Sequence, residues 1–217
     1  MSETKKDYIP ALSYDFLTPF YDPLIKLGLR ETAFKTAMLN QADILPGQRV
    51  LDLACGTGTL TVMAKKANPR AEIIGLDGDR RILGIAHSKA GRENVAVRFD
   101  EGFSTELPYG DGLFDRVLSS LFFHHLKRED KRRTLREVRR VLAPDGELYV
   151  ADWGKPDGLL MKAASLPVQW LDGPTTRDNF QGMLPEFIAE AGFAEVTEMS
   201  KFNTVGGTIR LYKAANK

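Results

Sequence analysis

This chain of 217 residues holds one cysteine, Cys55, and three histidines, His87, His124 and His125. One thiol excludes an internal disulfide framework and fits a reducing cytoplasm. Two adjacent histidines and a distant third offer no metal-ligand spacing, so no metal is expected. Charge of either sign is not in excess: 30 basic side chains face 29 acidic ones, a formal net charge of +1. That balance gives no global electrostatic grip on nucleic acid or on an anionic membrane. No apolar run approaches the ~18 residues of a spanning helix. The stretch Met1-Ser-Glu-Thr-Lys-Lys-Asp carries no apolar core of the kind a signal peptide uses. A cytoplasmic protein is the expectation.

What is present begins at Arg49-Val50-Leu51-Asp52-Leu53-Ala54-Cys55-Gly56-Thr57-Gly58. There an apolar run ends in a loop of small residues and passes into a helical pattern. A second apolar run, Ile73-Ile74-Gly75-Leu76, follows and ends in Asp77. Strand, small-residue turn, helix and a second strand tipped by an acid make a nucleotide half-site. Its loop lets a ligand approach the backbone, and its acid can accept from ribose hydroxyls. Two further absences narrow the ligand. The dinucleotide fingerprint G-x-G-x-x-G has Thr61 in place of its last glycine, and no Gly-Lys-Ser/Thr closes a phosphate loop. Instead Asp52 lies inside the strand end, where an acid suits a cation better than a pyrophosphate.

These motifs resemble class I S-adenosylmethionine-dependent methyltransferases. Leu51 to Gly58 is similar to their first motif and Gly75-Leu76-Asp77 to their second. The likeness continues through Thr105 to Val117 and through Leu135 to Leu148, and it is densest over residues 45–152. Among them the chain most resembles the small-molecule group that includes the ubiquinone and menaquinone enzymes. The resemblance implies an α/β, Rossmann-like, doubly wound and mostly parallel sheet of seven strands. Its order would be 3-2-1-4-5-7-6, with the last strand antiparallel and an N-terminal helical cap.

One domain is expected, with residues 1–47 as an N-terminal helical lid and 48–152 as the cofactor-binding core. Residues 153–181 then make an acceptor-site insertion, and 182–217 the C-terminal helix and hairpin. The pattern predicts strands near 49–54, 71–76, 95–99, 114–119 and 146–152. Asp79 is an N-cap candidate for a helix burying Ile82, Ile85 and Ala86. A later helix should bury Leu135, Val138, Val141 and Leu142 before stopping at Ala143-Pro144-Asp145-Gly146. Residues 153–181 are rich in glycine and proline and read as loop with one short helix. A helix over about 183–191 should stop at Gly192, followed by strands 194–202 and 208–214 joined around Gly206-Gly207.

The resemblance implies S-adenosyl-L-methionine as cofactor and S-adenosyl-L-homocysteine as product. Its implied contacts are Asp52 to the methionine ammonium, Ala54, Cys55, Gly56, Thr57 and Gly58 along the cofactor, and Asp77 with Gly78 at the ribose. Ser119, Tyr14 and Tyr21 complete the set. Relatives carry Gly-Asp-Ala where this chain has Gly102-Phe103-Ser104, so the acid that accepts from adenine is absent. Either Ser104 or backbone reads the base with Phe103 against its face, or Asp100 and Glu101 substitute, or Phe103 is core packing. Candidate bases are His125, His124 and Asp152, with His125 preferred because relatives often carry a histidine there.

The leading reading is methyl transfer by in-line displacement to an O, N or C nucleophile on a small, hydrophobic or aromatic acceptor. Trp153, Trp170 and Leu159-Leu160-Met161 supply the apolar surroundings. A methyltransferase acting on RNA or protein is the alternative, motivated by eight basic residues between Lys127 and Arg140. A solvated helix face explains that cluster more simply. A protein that binds the cofactor without methylating is the third reading.

Overall fold

The computed structural model describes residues 30–217. The described chain opens with helix α1 (Glu31–Ala42), followed by β1 (Arg49–Leu53), α2 (Thr59–Ala67), β2 (Glu72–Asp77), α3 (Arg80–Arg92) and β3 (Arg98–Glu101). Next come β4 (Phe114–Ser120), a short 3₁₀ turn (Phe123–His125), α4 (Arg128–Val141) and β5 (Leu142–Trp153). Helix α5 (Leu159–Leu171), a 3₁₀ turn (Pro174–Thr176), α6 (Arg177–Phe180), α7 (Leu184–Glu190), β6 (Ala194–Thr204) and β7 (Gly207–Ala215) complete it. The seven strands form one sheet in the order β3-β2-β1-β4-β5-β7-β6. Strands β1 to β5 pair in parallel, while β7 runs antiparallel to both β5 and β6. This is the expected order, with the expected antiparallel strand at its end.

Alternation along β1 sorts the core into two layers. Leu51 and Leu53 join Val117, Val150 and the α4 and α7 residues Leu135, Val138, Leu184 and Phe187 on one face. Val50 joins Phe34 and Met38 of α1, Leu60 and Ala64 of α2, and Leu118 on the other. Phe34 and Met38 are fully buried, so α1 packs on the sheet as a wall of the core. The remainder of the expected lid, with Tyr14 and Tyr21, lies outside the described residues.

Three expectations need correction. Helix α3 buries Leu83, Ala86 and Ala90, whereas Ile85 is exposed, because the helix presents a face rotated by about one residue toward β2 and β3. Helix α4 ends at Val141, and β5 starts at once from Leu142, so the Ala143–Gly146 stretch bends within a strand entry instead of forming a separate stop. Residues 153–181 are mostly helical. Gly158 and Gly173 fall just outside the ends of α5, and Pro167 is accommodated inside it, so most of the breakers act as boundaries. Trp153 is buried and stacks on Phe180 at 5.8 Å, while Trp170 of α5 is exposed.

Among the glycines within strands, Gly75 leaves the least room for a side chain. A Cβ there would lie 2.7 Å from Cδ1 of Phe99 and 3.0 Å from Sγ of Cys55. Gly75→Ala should therefore lower stability by about 1–3 kcal/mol. A reduced urea midpoint at unchanged m-value would report it, and Phe99→Leu in the same chain should recover part of the loss.

Candidate functional site

The carboxyl ends of β1, β2, β3 and β4 surround a cavity of about 310 Å³. A larger cleft of about 650 Å³ lies at the other end of the sheet, between Asp111, Arg136 and Arg140. Ligands of open α/β sheets bind outside the carboxyl ends of the strands, so the smaller cavity is the candidate.

Its floor is the turn after β1. Ala54 leaves the strand at φ 55°, a left-handed conformation that costs a non-glycine residue about 1 kcal/mol and persists only when neighbours fix it. They do so here. The Cys55 N–H donates to the Leu76 carbonyl at 2.9 Å, and the Gly56 N–H donates to Oδ2 of Asp77 at 2.9 Å. The second Asp77 oxygen accepts from the Asp79 N–H at 3.0 Å, and Asp79 in turn caps α3 by accepting from Arg81 N–H. One carboxylate thus ties the tip of β2 to the loop after β1 and to the start of α3. On the outer side, Lys89 Nζ donates to the hydroxyls of Thr57 and Thr59 at 2.9 and 2.6 Å. Burial, with the charges of Asp52 and Asp77 adding to it, pushes the Cys55 thiol far above its usual range, so it lines the cavity as an inert thiol.

Gly58 does not line the cavity. At φ 71°, its missing side chain admits Ala86 and Phe99, since a Cβ would sit 2.9 Å from Cβ of Ala86. The first glycine shapes the site and the second brings α3 close.

Asp52 departs furthest from expectation. It is 1% exposed and lies outside the cavity lining. Oδ2 of Asp52 accepts from the Thr61 hydroxyl at 2.6 Å. Strand alternation puts its side chain on the Val50 face, under α1 and α2, and not at the strand tip. The residue that breaks the dinucleotide fingerprint is therefore the one that satisfies Asp52. Burial raises its pKa to about 6, against the lowering effects of Thr61 and of Lys35.

At the far end of the cavity, Phe103 is 47% exposed and its ring covers Gly78, which excludes a core-packing role. Ser104 also lines the cavity, with its hydroxyl bonded to Thr134 of α4 at 2.9 Å. Asp100 and Glu101 do not substitute for the missing acid. Asp100 is held by the Tyr109 hydroxyl and Arg98, Glu101 lies beside Arg80, and neither faces the cavity.

After β4 the chain turns through Leu121 at φ 53° and brings His125 into the lining, where the ring is open to the cavity. Desolvation by the pocket walls, then the neighbouring His124, lower the His125 pKa to about 4, although its opening to the cavity limits that shift. The His124 ring lies against that of His125, with centroids 3.9 Å apart, but on its buried side. It is 3% exposed, and its Nδ1 lies 2.7 Å from Oδ1 of Asp152. Asp152 also accepts from the Phe122, His124 and Trp153 N–H groups at 3.1, 3.4 and 2.7 Å. Burial alone would raise its pKa, but the His124 charge and hydrogen bond and the Trp153 N–H hold it below the usual range. An ionised Asp152 only accepts, so Nδ1 of His124 carries the proton. Neither His124 nor Asp152 reaches the cavity as a base, because together they anchor the turn that presents His125. Ser119 is likewise sealed in the sheet, and Ser120 takes its place in the lining.

The comparisons bear on this geometry. A family model described as "Methyltransferase domain" matches residues 50–146. The chain is 30% identical over 190 residues to an uncharacterized methyltransferase of Synechocystis, covering 86% of this chain and 85% of that one. The chain belongs to the S-adenosylmethionine-dependent methyltransferases.

It is also 34% identical over 143 residues to the demethylmenaquinone methyltransferase of Deinococcus radiodurans, with 64% of this chain aligned. The chain spans about three fifths of the length of that relative, 58%. The magnesium protoporphyrin IX methyltransferase of Synechocystis, solved with S-adenosylhomocysteine, shares the fold at TM-score 0.70 and 19% identity, over 94% of this chain and 90% of that one. For a methyltransferase of this family the cofactor is S-adenosylmethionine. The cavity suits it: a backbone turn open to close approach, an acid at the tip of β2 and an aromatic face beyond. Sequence reasoning missed Glu31, Lys35, Thr59, Ser120, Leu121 and Phe122, all of which line the cavity. For the first two the sequence shows no more than an ordinary i, i+4 Glu–Lys pair on the helix before β1.

Asp52 sets a pH dependence opposite to that of a salt-bridged carboxylate. Its folded pKa lies above its unfolded one, so the native state binds the extra proton and stability falls as pH rises from about 4 to 6. The Asn variant keeps an acceptor for Thr61 without the buried charge. Denaturation curves should show wild type losing up to about 3 kcal/mol relative to Asp52→Asn across that window.

Proposed function

We propose that this chain transfers the methyl group of S-adenosylmethionine to a small, largely apolar acceptor of the quinone type. The carrying observation is the single cavity that joins the β1 turn and Asp77 at one side to Leu121, Phe122 and His125 at the other. The demethylmenaquinone relative supports a quinone-like acceptor. Bound there, the cofactor supplies a methyl carbon already activated by a sulfonium leaving group.

In this reading the oxygens of Asp77, each holding one N–H, use their remaining lone pairs for the ribose diol. The backbone of Ala54, Cys55, Gly56 and Thr57 runs alongside the cofactor, Gly78 lies at the ribose, and the exposed face of Phe103 stacks on the base. Ser104 positions the 102–104 segment through Thr134. Alignment of the reacting atoms and exclusion of water then supply most of the rate. His125 is uncharged at neutral pH, so its unprotonated ring nitrogen accepts the hydrogen bond, and finally the proton, of an acceptor hydroxyl. Asp152 and His124 act through His125 by fixing its turn.

The basic face of α4 does not favour a nucleic acid partner. Arg128 pairs with Asp178, Arg132 with Glu190, and Arg140 with Glu137 and Asp111. Lys131 is buried and donates to the Thr175 carbonyl. Among the described residues, no helix is long and apolar enough to cross a membrane.

Two measurements test this. Calorimetry should register S-adenosylhomocysteine binding that weakens about 10- to 100-fold in Asp77→Ala, which removes hydrogen bonds to a charged group. Absence of heat with the wild type overturns the reading. Turnover of a soluble demethylated quinol with cofactor should fall about 10- to 100-fold in His125→Gln, at unchanged S-adenosylhomocysteine affinity. The acid limb of the pH–rate profile, set by a His125 pKa held below the ordinary histidine value, should vanish with it.

A further inference from the structure

Removing Asp52 from the cavity leaves the amino-acid end of the cofactor without its expected partner, and the cavity offers a substitute. We propose that Glu31 and Lys35 of α1 form the seat for that end, with Lys35 taking the α-carboxylate and Glu31 the α-ammonium. The proposal rests on the cavity being the cofactor site, and it assigns residues outside the recognised motifs.

Charge decides the choice. Among the described residues that line the cavity, the side chains that carry charge near neutral pH are Glu31, Lys35 and Asp77, with His125 as a fourth titratable group. Asp77 is occupied with the β1 turn and α3, and His125 stands after β4. A zwitterion needs one group of each sign close together. Glu31 and Lys35 are one helical turn apart and paired with each other, and their side chains are 19% and 9% exposed. Burial of this degree makes each charge count for more than at a solvated surface.

Position agrees. Phe103 and Gly78 follow β3 and β2, at one side of the sheet order, with Asp77 next and the β1 turn after it. Helix α1 packs against α2 and β5, so its residues close the opposite end of the cavity. Cofactor binding then exchanges partners: the Glu31–Lys35 pair opens, and each group gains a ligand charge of opposite sign. No charge is left buried and unpaired at any stage, which is what makes such an exchange inexpensive.

The test compares two ligands by calorimetry. S-adenosylhomocysteine carries the amino-acid end, and 5′-methylthioadenosine keeps adenine, ribose and sulfur without it. Glu31→Gln and Lys35→Met should each weaken S-adenosylhomocysteine binding about tenfold or more while leaving 5′-methylthioadenosine within about twofold. Lys35→Arg should restore most of the loss. If Lys35→Met fails to fold for want of a cation near Asp52, Glu31→Gln decides alone, since it leaves Lys35 in place. Equal weakening of both ligands, or of neither, overturns the seat while wild-type binding still upholds the cofactor reading. Wild-type protein that binds neither ligand overturns both.

Discussion

One carboxylate holds the working end of this molecule together. Parallel strands deliver their carboxyl ends to the same edge, but they do not fix the loops that leave them. Asp77 does, by accepting N–H groups from the turn after β1 and from the start of α3. Without it, only the bond from Cys55 N–H to the Leu76 carbonyl would hold Ala54 left-handed, and the glycine turn would lose its second anchor. The cavity is therefore a property of cross-strand hydrogen bonding, with the sheet as its scaffold.

A second carboxylate repeats the device one step along the sheet. Asp152, at the end of β5, gathers three backbone N–H groups and a histidine, and so sets the turn after β4. The two turns share a pattern: a strand exit in left-handed backbone, held by an acid from the neighbouring parallel strand. Neither acid needs to meet the reacting atoms for the site to depend on it. Adjacent histidines then divide the labour, His124 inward to the acid and His125 outward to the cavity.

The sheet was legible because periodicity reports burial, and burial is what strands of a doubly wound sheet share. The β1 turn and Asp77 were legible because small residues and a terminal acid have few other uses at that spacing. Side-chain direction at strand ends was not. Asp52 and Ser119 sit one residue from the register that would expose them, and a period of two makes that the difference between cavity and core. Asp152 and His124 were chosen for chemistry that their titratable groups permit, while the structure spends them on backbone donors. Helix α5 was hidden because its glycines and proline look alike in sequence, whether they break a helix or bound it. Glu31 and Lys35 were missed because nothing in an ordinary surface pair signals that a cavity will close over it.

The hydroxyl of Thr61 has a consequence for substitution. A glycine at that place is what nucleotide folds of the nicotinamide type employ, yet here it would leave a sealed, desolvated acid with the backbone N–H of residue 61 as its one donor. Conversely, changing Asp52 first would leave the threonine hydroxyl facing an apolar floor. Neither change alone is neutral, so the two positions are coupled and tolerate substitution best when changed together.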